Sequence, residues 1–366
     1  MDVNYISNNY LSPFIKEKYN SFLKKSNSLF YHKLEYINFL CDILGSESKL
    51  YLFFDNQEIV ASVPFIFKES EYGIVYNSLP FFGSIGDFLL LDEYINQEHV
   101  YRKVFIDVVL DILSNDDTIA VTFISNPFSQ FSILKLINDI LSQINDRLKM
   151  NYKIFWDMRL LYLSFLFFED NFEGNFKKMV KDSTVRNINK AKRLGIKILK
   201  DKSKLNFLKE IHYENILKIG GKNKPEKFFS MLDNYFTFSV DYDLYIGYLD
   251  NQQIAALLVM YHKNFIEYFK PAIKEEYRNT QVLSYIIYNC MEEAWRKGYR
   301  IWNWGGTHLE QLILMRFKKK WANNLSYYYY ITFFNLKKYE LLLSNFKDVI
   351  KIFNFYYIIP YRYLKT

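Results

Sequence analysis

The sequence has little of what marks a disulfide-stapled, metal-bound or membrane-spanning protein. Its 366 residues include two cysteines, Cys41 and Cys290. They provide no disulfide framework and no ligand-spaced pair. The five histidines (His32, His99, His212, His262 and His308) are scattered, so no metal is expected. The longest neutral run, Thr118 to Leu134, is interrupted by Asn126, Pro127, Ser129 and Gln130 and is not a membrane span. Met1 to Tyr10 has no basic start followed by an apolar core, so no secretory signal is read there. A cytoplasmic protein is the expectation.

Apolar residues make up 50% of the chain and aromatic residues 19%. That composition argues against disorder and for a sizeable core, with about two domains at this length. The 34 Phe and 32 Tyr accompany many Lys and Asn, a pattern that AT-rich coding alone produces. An aromatic cluster is therefore not by itself a binding platform. The positive charge is local. Lys177 to Lys204 holds 11 Lys and Arg against two Asp, a net of +9, whereas the whole chain carries +7 and the remainder is −2.

Hydrophobic periodicity predicts helix over residues 12–45, then strands at Lys49–Phe54, Ile59–Lys68 and Ile74–Ser78. Pro80, Gly83 and Gly86 predict a loop ending at Asp87. A helix over Val100–Leu113 and a strand at Ala120–Ile124 follow. Polar Asn145–Lys153 is the predicted boundary between a first domain, 1–150, and a second, 151–324. The second opens with apolar Phe155–Phe168. Leu244–Leu249, Ile254–His262 and Phe265–Lys270 read as an antiparallel meander. From Val282 the period becomes helical, Gly298 stops the helix, and Tyr299–Trp304 reads as a buried strand closed by Gly305-Gly306. Ser326–Phe334 reads as a strand and Tyr339–Phe355 as a helix.

The chain also repeats itself. Leu50-Tyr51-Leu52-Phe53-Phe54 before Asp55-Asn56-Gln57 aligns with Leu244-Tyr245-Ile246-Gly247-Tyr248-Leu249 before Asp250-Asn251-Gln252, with one residue inserted before the second turn. Each copy sits in a meander followed by a loop, a helix and a strand. This order of meander, helix and returning strand resembles half of a GNAT-type acyltransferase domain, so the expected fold class is α+β, with two tandem GNAT-like domains whose sheets are mixed and largely antiparallel.

Several segments carry a family resemblance in their order. They are Arg186-Asn187-Ile188-Asn189-Lys190-Ala191-Lys192-Arg193-Leu194-Gly195-Ile196, the helix before Lys297-Gly298-Tyr299, the strand ending in Gly305-Gly306, and Phe317-Lys318 before Trp321. Together they resemble the Fem family, the peptidoglycan-bridge aminoacyltransferases and their acyl-CoA-dependent relatives in envelope-polysaccharide pathways. The resemblance spans about Phe176 to Ala322 and more weakly residues 30–95. It implies a wedge between two strands that receives an acyl donor, and a return of residues 325–366 to the first domain.

Within this frame the candidate site residues follow. A helix capped by Asp182 or Ser183 sets Arg186, Lys190 and Arg193 near one face. Such a face suits a polyanion: a nucleotide diphosphate, coenzyme A, tRNA or an anionic lipid surface at the inner face of a membrane. The plainer reading is a solvated basic helix. The resemblance sets Arg186 and Lys190 near the acceptor's phosphates. It makes Lys318 the stabiliser of the tetrahedral oxyanion of acyl transfer, with Phe317, Gly305 and Gly306 beside the substrate. His308 is a candidate base; the plainer reading is a structural or solvated loop histidine. Asp241, Asp243 and Glu267 are other possible bases that the sequence does not rank. Asn303 stands where many relatives carry Asp, so no carboxylate role is read there.

No Gln/Arg-x-x-Gly-x-Gly/Ala pyrophosphate loop precedes the helix. The corresponding stretch is Arg278-Asn279-Thr280-Gln281, and Thr280 and Gln281 are the cofactor-binding candidates through the helix-terminal N–H groups. No long charged helical hairpin is inserted, and relatives with such an arm associate it with tRNA. The expected function is N-acyl transfer, such as N-acetyl transfer, from acyl-CoA to a nucleotide-linked amino sugar or peptidoglycan precursor in cell-envelope biogenesis. Aminoacyl transfer from charged tRNA is the main alternative. A non-catalytic nucleic-acid- or membrane-surface-binding protein is the rival from another class.

Overall fold

The structure is a computed structural model. It describes the backbone of residues 2–7 and residues 11–86, 88–128, 140, 142–144, 146 and 152–360. Asp87 and much of 145–153 lie outside the described residues. In chain order the elements are β1 (Asp2–Ser7), α1 (Pro13–Lys25), α2 (Leu34–Leu44), β2 (Glu47–Asp55), β3 (Glu58–Ser70), β4 (Gly73–Asn77), β5 (Leu89–Leu90), α3 (Glu98–Leu113), β6 (Thr118–Ile124) and β7 (Tyr152–Phe165). They continue with α4 (Phe172–Met179), α5 (Asp182–Arg193), β8 (Lys197–Lys200), α6 (Leu205–Lys218), α7 (Lys227–Ser230), α8 (Leu232–Tyr235), β9 (Tyr242–Leu249), β10 (Gln252–His262), β11 (Phe265–Ile273) and α9 (Val282–Arg296). The last are β12 (Ile301–His308), α10 (Leu312–Lys318), β13 (Asn324–Asn335), α11 (Tyr339–Ser344) and α12 (Phe346–Ile352). The chain divides into two compact units, Met1–Arg159 with Tyr327–Thr366, and Leu160–Ser326.

In the first unit the strand order is β1-β2-β3-β4-β6-β13, with β5 on β3. The predicted helix over 12–45 is two helices. Ser12 caps α1 by accepting the Ile15 N–H at 3.3 Å, and Pro13 takes the first helical position. The break follows Lys25, where the Ser28 hydroxyl donates back to the Leu23 carbonyl at 2.6 Å and draws the chain out of helix. Gly45, at φ 60°, then ends α2. The predicted helix over 339–355 is likewise divided at Asn345.

In the second unit the order is β7-β12-β11-β10-β9-β8. Its core gathers Trp302, Trp304 and Trp321 with Phe172, Phe176, Ile286 and Ile287, all buried. Burying each large side chain stabilises the unit by roughly 1.5–3 kcal/mol.

Both units contain the same run of elements. A hairpin is followed by a third antiparallel strand, a helix, and a strand parallel to the third: β2-β3-β4-α3-β6 in one and β9-β10-β11-α9-β12 in the other. The sequence alignment of the hairpins is corrected by their turns. Asn56 and Gln57 have φ of 46° and 69°, Asp250 and Asn251 have φ of 49° and 65°, so each hairpin closes on two left-handed residues. Asn56-Gln57 is therefore equivalent to Asp250-Asn251, one residue off the match of identical letters. Both partner strands then bulge at the third residue after the turn, Val60 and Ile254. With this register no insertion is needed, and Phe53 is equivalent to Gly247.

That difference matters locally. Phe53 is fully buried. A Cβ on Gly247 would lie 2.4 Å from Val282 Cγ2 and 3.1 Å from Ile286 Cδ1. The missing side chain lets the first turn of α9 sit directly on β9. Gly247→Ala should destabilise the protein by about 1–3 kcal/mol in urea unfolding, the scale of core overpacking. Adding Val282→Ala to Gly247→Ala should recover part of that loss. A neutral Gly247→Ala would contradict this account of the contact.

Candidate active site

β11 and β12 run together for only three residue pairs: Phe265 with Ile301, Ile266 with Trp302, and Glu267 with Asn303. β11 then continues to Ile273, still paired with β10, and β12 to His308, with no further pair between β11 and β12. A bulge at Phe269 bends β11, because Val259 faces Tyr268 while Leu258 faces Lys270. β12 does not end at its glycines as expected. It passes through Gly305, at φ 70°, to His308.

Two strands that part leave backbone groups in need of partners. On β12 the partner is Lys318. Its Nζ donates to the Gly305 carbonyl at 2.9 Å, the Gly306 carbonyl at 3.4 Å and Thr307 Oγ1 at 2.8 Å. Phe317 and Trp321 hold α10 in place by packing on Trp304, with ring centroids 5.9 and 5.6 Å away. Arg316, Lys319 and Lys320 are exposed, whereas Lys318 is 3% exposed. Burial lowers the Lys318 ammonium from 10.5 to about 7. The ammonium thus spans the end of β12.

On β11 the partners come from α6. The Asn215 amide donates to the Ile273 carbonyl at 2.9 Å and accepts the Ile273 N–H at 3.1 Å. Pro271 brings no N–H, and its carbonyl accepts from the His212 ring.

Glu267 and Asn303, the last pair before the strands diverge, are both fully buried. Asn303 Oδ1 accepts the Gly305 N–H at 2.8 Å. Its Nδ2 has no acceptor among the described residues. The other carboxylates weighed from sequence are engaged away from this point. Asp243 accepts from Tyr261 at 2.9 Å and pairs with Lys200 and Lys297 at 3.5 and 3.8 Å. Asp241 accepts the Thr237 N–H at 2.9 Å. His308 lies at the far end of β12, partly exposed, its Nδ1 accepting the Glu310 N–H at 3.2 Å.

Arg186, Lys190 and Arg193 are exposed on α5 and make no ion pair among the described residues. The expected Asp182 or Ser183 cap is replaced by Lys181 at the N-cap, with Asp182 as the first helical residue. The Lys181 N–H donates to the Lys320 carbonyl at 2.9 Å. The basic helix therefore begins where α10 ends, two residues past Lys318. Thr280 and Gln281 stand before α9. The Thr280 hydroxyl accepts the Val282 N–H at 3.3 Å, and Gln281 turns at φ 62° without a side-chain cap.

Sequence reasoning passed over Lys270, Lys224, His212 and Asn215. The available signal was Glu267 and Lys270 in one otherwise apolar strand, where a charge on a buried face is rare.

Residues 207–319 match the family described as an acetyltransferase (GNAT) domain. No curated protein matches the chain. Among solved structures, FemX is 13% identical, aligns over 94% of this chain and 99% of its own, and has a TM-score of 0.66. The C-terminal domain of a putative lysylphosphatidylglycerol synthetase from Agrobacterium fabrum is 11% identical over 92% and 96%, with a TM-score of 0.52. L-PGS from Bacillus licheniformis is 12% identical over 93% and 97%, with a TM-score of 0.50. At these identities the likeness is one of fold. Among the described residues no helix is long and apolar enough to cross a membrane, and no group of three or more His, Cys, Asp and Glu is placed to hold a metal. The GNAT domain at residues 207–319, with the likeness in fold to FemX over most of the chain, supports an acyltransferase.

Proposed function

We propose that the protein forms an amide on the amino group of a nucleotide-linked amino sugar or peptidoglycan precursor, with acyl-CoA as donor. The observation that carries this reading is the parting of β11 from β12 between the buried Glu267–Asn303 pair and Lys318. The acyl chain is proposed to lie extended between these two strands, whose edges are no longer joined. The acceptor's neutral amine attacks the acyl carbon, the N–C bond forms, and the C–S bond breaks to release the CoA thiolate. The amine proton passes to a base. Glu267 is the carboxylate at the opening, and His308 is the second candidate. Asn303 carries an amide, so it donates a hydrogen bond rather than taking the proton. Lys318, if it releases its 3.4 Å contact to Gly306, has an N–H for the oxyanion.

Arg186, Lys190 and Arg193 are proposed to meet the acceptor's diphosphate, since they make no ion pair among the described residues and their helix begins beside α10. The first turn of α9 is the site for the donor's phosphates, through backbone N–H groups beyond Thr280 and Gln281. Aminoacyl transfer from tRNA is the second reading, favoured by the lysylphosphatidylglycerol synthetase among the structural neighbours. Incubation with acyl-CoA and a panel of UDP-amino sugars, read by mass spectrometry, should give an acylated sugar and free CoA. A product formed only with charged tRNA would favour the second reading. No product from either donor would contradict both.

An oxyanion-stabilising lysine must be protonated. With its ammonium held at about 7, the charged fraction of Lys318 falls as pH rises through that value. The kcat should therefore decline above about pH 7 on account of this group. Lys318→Arg, charged throughout, should move the decline to higher pH. Lys318→Ala should lower kcat by about 100-fold with little change in KM, whereas Lys319→Ala should not. A kcat that rises through pH 7 and loses that rise in Lys318→Arg would instead assign a neutral amine acting as base.

A further inference from the structure

Three basic side chains meet on the face of β11 that α6 and α7 cover. Lys270 follows the bulge and is 4% exposed. His212, on α6, is 5% exposed and lies 5.7 Å from the Phe229 ring. Lys224 reaches in from the loop between α6 and α7, its Nζ 2.5 Å from His212 Nε2. The two ammonium groups flank one aromatic ring, with Lys224 Nζ 5.7 Å and Lys270 Nζ 5.6 Å from the centroid of Phe228.

The histidine is held neutral. Burial, then the charges of Lys224 and Lys270, push it down to about 3. With one ring nitrogen donating to the Pro271 carbonyl, the other accepts from Lys224. His212 therefore orients Lys224 without adding charge. Burial lowers Lys224 to about 8, and burial followed by Lys224 lowers Lys270 well below its usual range. No carboxylate pairs with Lys224 or His212 among the described residues. Among the other charged groups on these elements, Lys209 pairs with Glu226 at 3.6 Å and Lys218 with Glu275 at 3.7 Å; Glu210, Glu214, Lys222 and Lys227 are exposed, and Glu267 lies two cross-strand positions from Lys270 on the same face.

Gathering a buried amine, Lys270, and a half-buried one, Lys224, costs stability that an apolar core would not lose. A bound anion offsets that cost, and lysines suit phosphate as point charges. Lys270 also lies three residues past the last β11–β12 pair, on the face opposite the one α9 packs against. We propose that His212, Lys224 and Lys270 form a binding site for a phosphate group, separate from the basic face of α5.

The test uses binding without turnover. Calorimetry on the full chain at pH 8 should detect inorganic phosphate or UDP, with proton uptake revealed by comparing Tris and HEPES, because an anion raises the depressed lysine pKa values. Lys224→Met and Lys270→Met keep the apolar stem and remove buried charge. Each should weaken binding at least about tenfold and reduce proton uptake, while exposed Lys319→Ala should change neither. UDP binding tighter than phosphate would assign a nucleotide source, and short-chain phosphatidylglycerol binding tighter than either would assign a lipid headgroup. Absence of binding by every probe, binding unaltered in both Met variants, or binding without proton uptake in the unmodified protein would overturn the proposal. The last readout requires no variant to fold.

Discussion

The arrangement depends on one backbone constraint. Two neighbouring parallel strands stop pairing while both continue, and the groups they turn into the gap must find partners. The protein meets this with side chains: the Lys318 ammonium for the carbonyls of β12, and the Asn215 amide and His212 ring for β11. A hydrogen bond to a charged donor contributes about 1.5–3 kcal/mol. Three such contacts offset much of the desolvation of a buried amine. The same contacts fix an ammonium of lowered pKa at the mouth of the opening. Structural need and chemical opportunity therefore fall on one residue.

The duplicated first unit shows what happens when the strands stay paired. β4 pairs with β6 through its last residue, Asn77. The Asn77 side chain then exchanges two hydrogen bonds with the backbone of Tyr357, at 2.8 and 2.7 Å. Thr122 adds a third at 3.4 Å. The C-terminal segment from Tyr356 to Ile359 is buried there. Where β11 and β12 open, the equivalent strands of the first unit are closed and their continuation is covered by chain. The asymmetry directs the search for chemistry to the second unit.

Much of this was legible in the sequence because it follows from periodicity and turn chemistry. The meander, the helix stopped by Gly298, the buried tryptophan strand and the repeat all rest on local signals. The repeat was legible in kind and misaligned in detail: the letters Asp-Asn-Gln coincide, but the turns are set by which two residues adopt positive φ. Lys318 was legible only through resemblance, since nothing local distinguishes it from Lys319 and Lys320. Its inward direction comes from the packing of Phe317 and Trp321 on Trp304. The His212–Lys224–Lys270 cluster was not legible, because its members come from a helix, a loop and a strand up to 58 positions apart in the sequence.

The central claim is that acyl transfer takes place between β11 and β12. A crystal structure with a non-transferable thioether analogue of acyl-CoA tests it most directly. The account predicts the pantetheine chain in the gap between Tyr268–Ile273 and Gly305–His308, with the acyl oxygen within hydrogen-bond reach of Lys318 Nζ or Asn303 Nδ2. An analogue bound in the first unit, or on the exposed face of α5 with that gap empty, would contradict it.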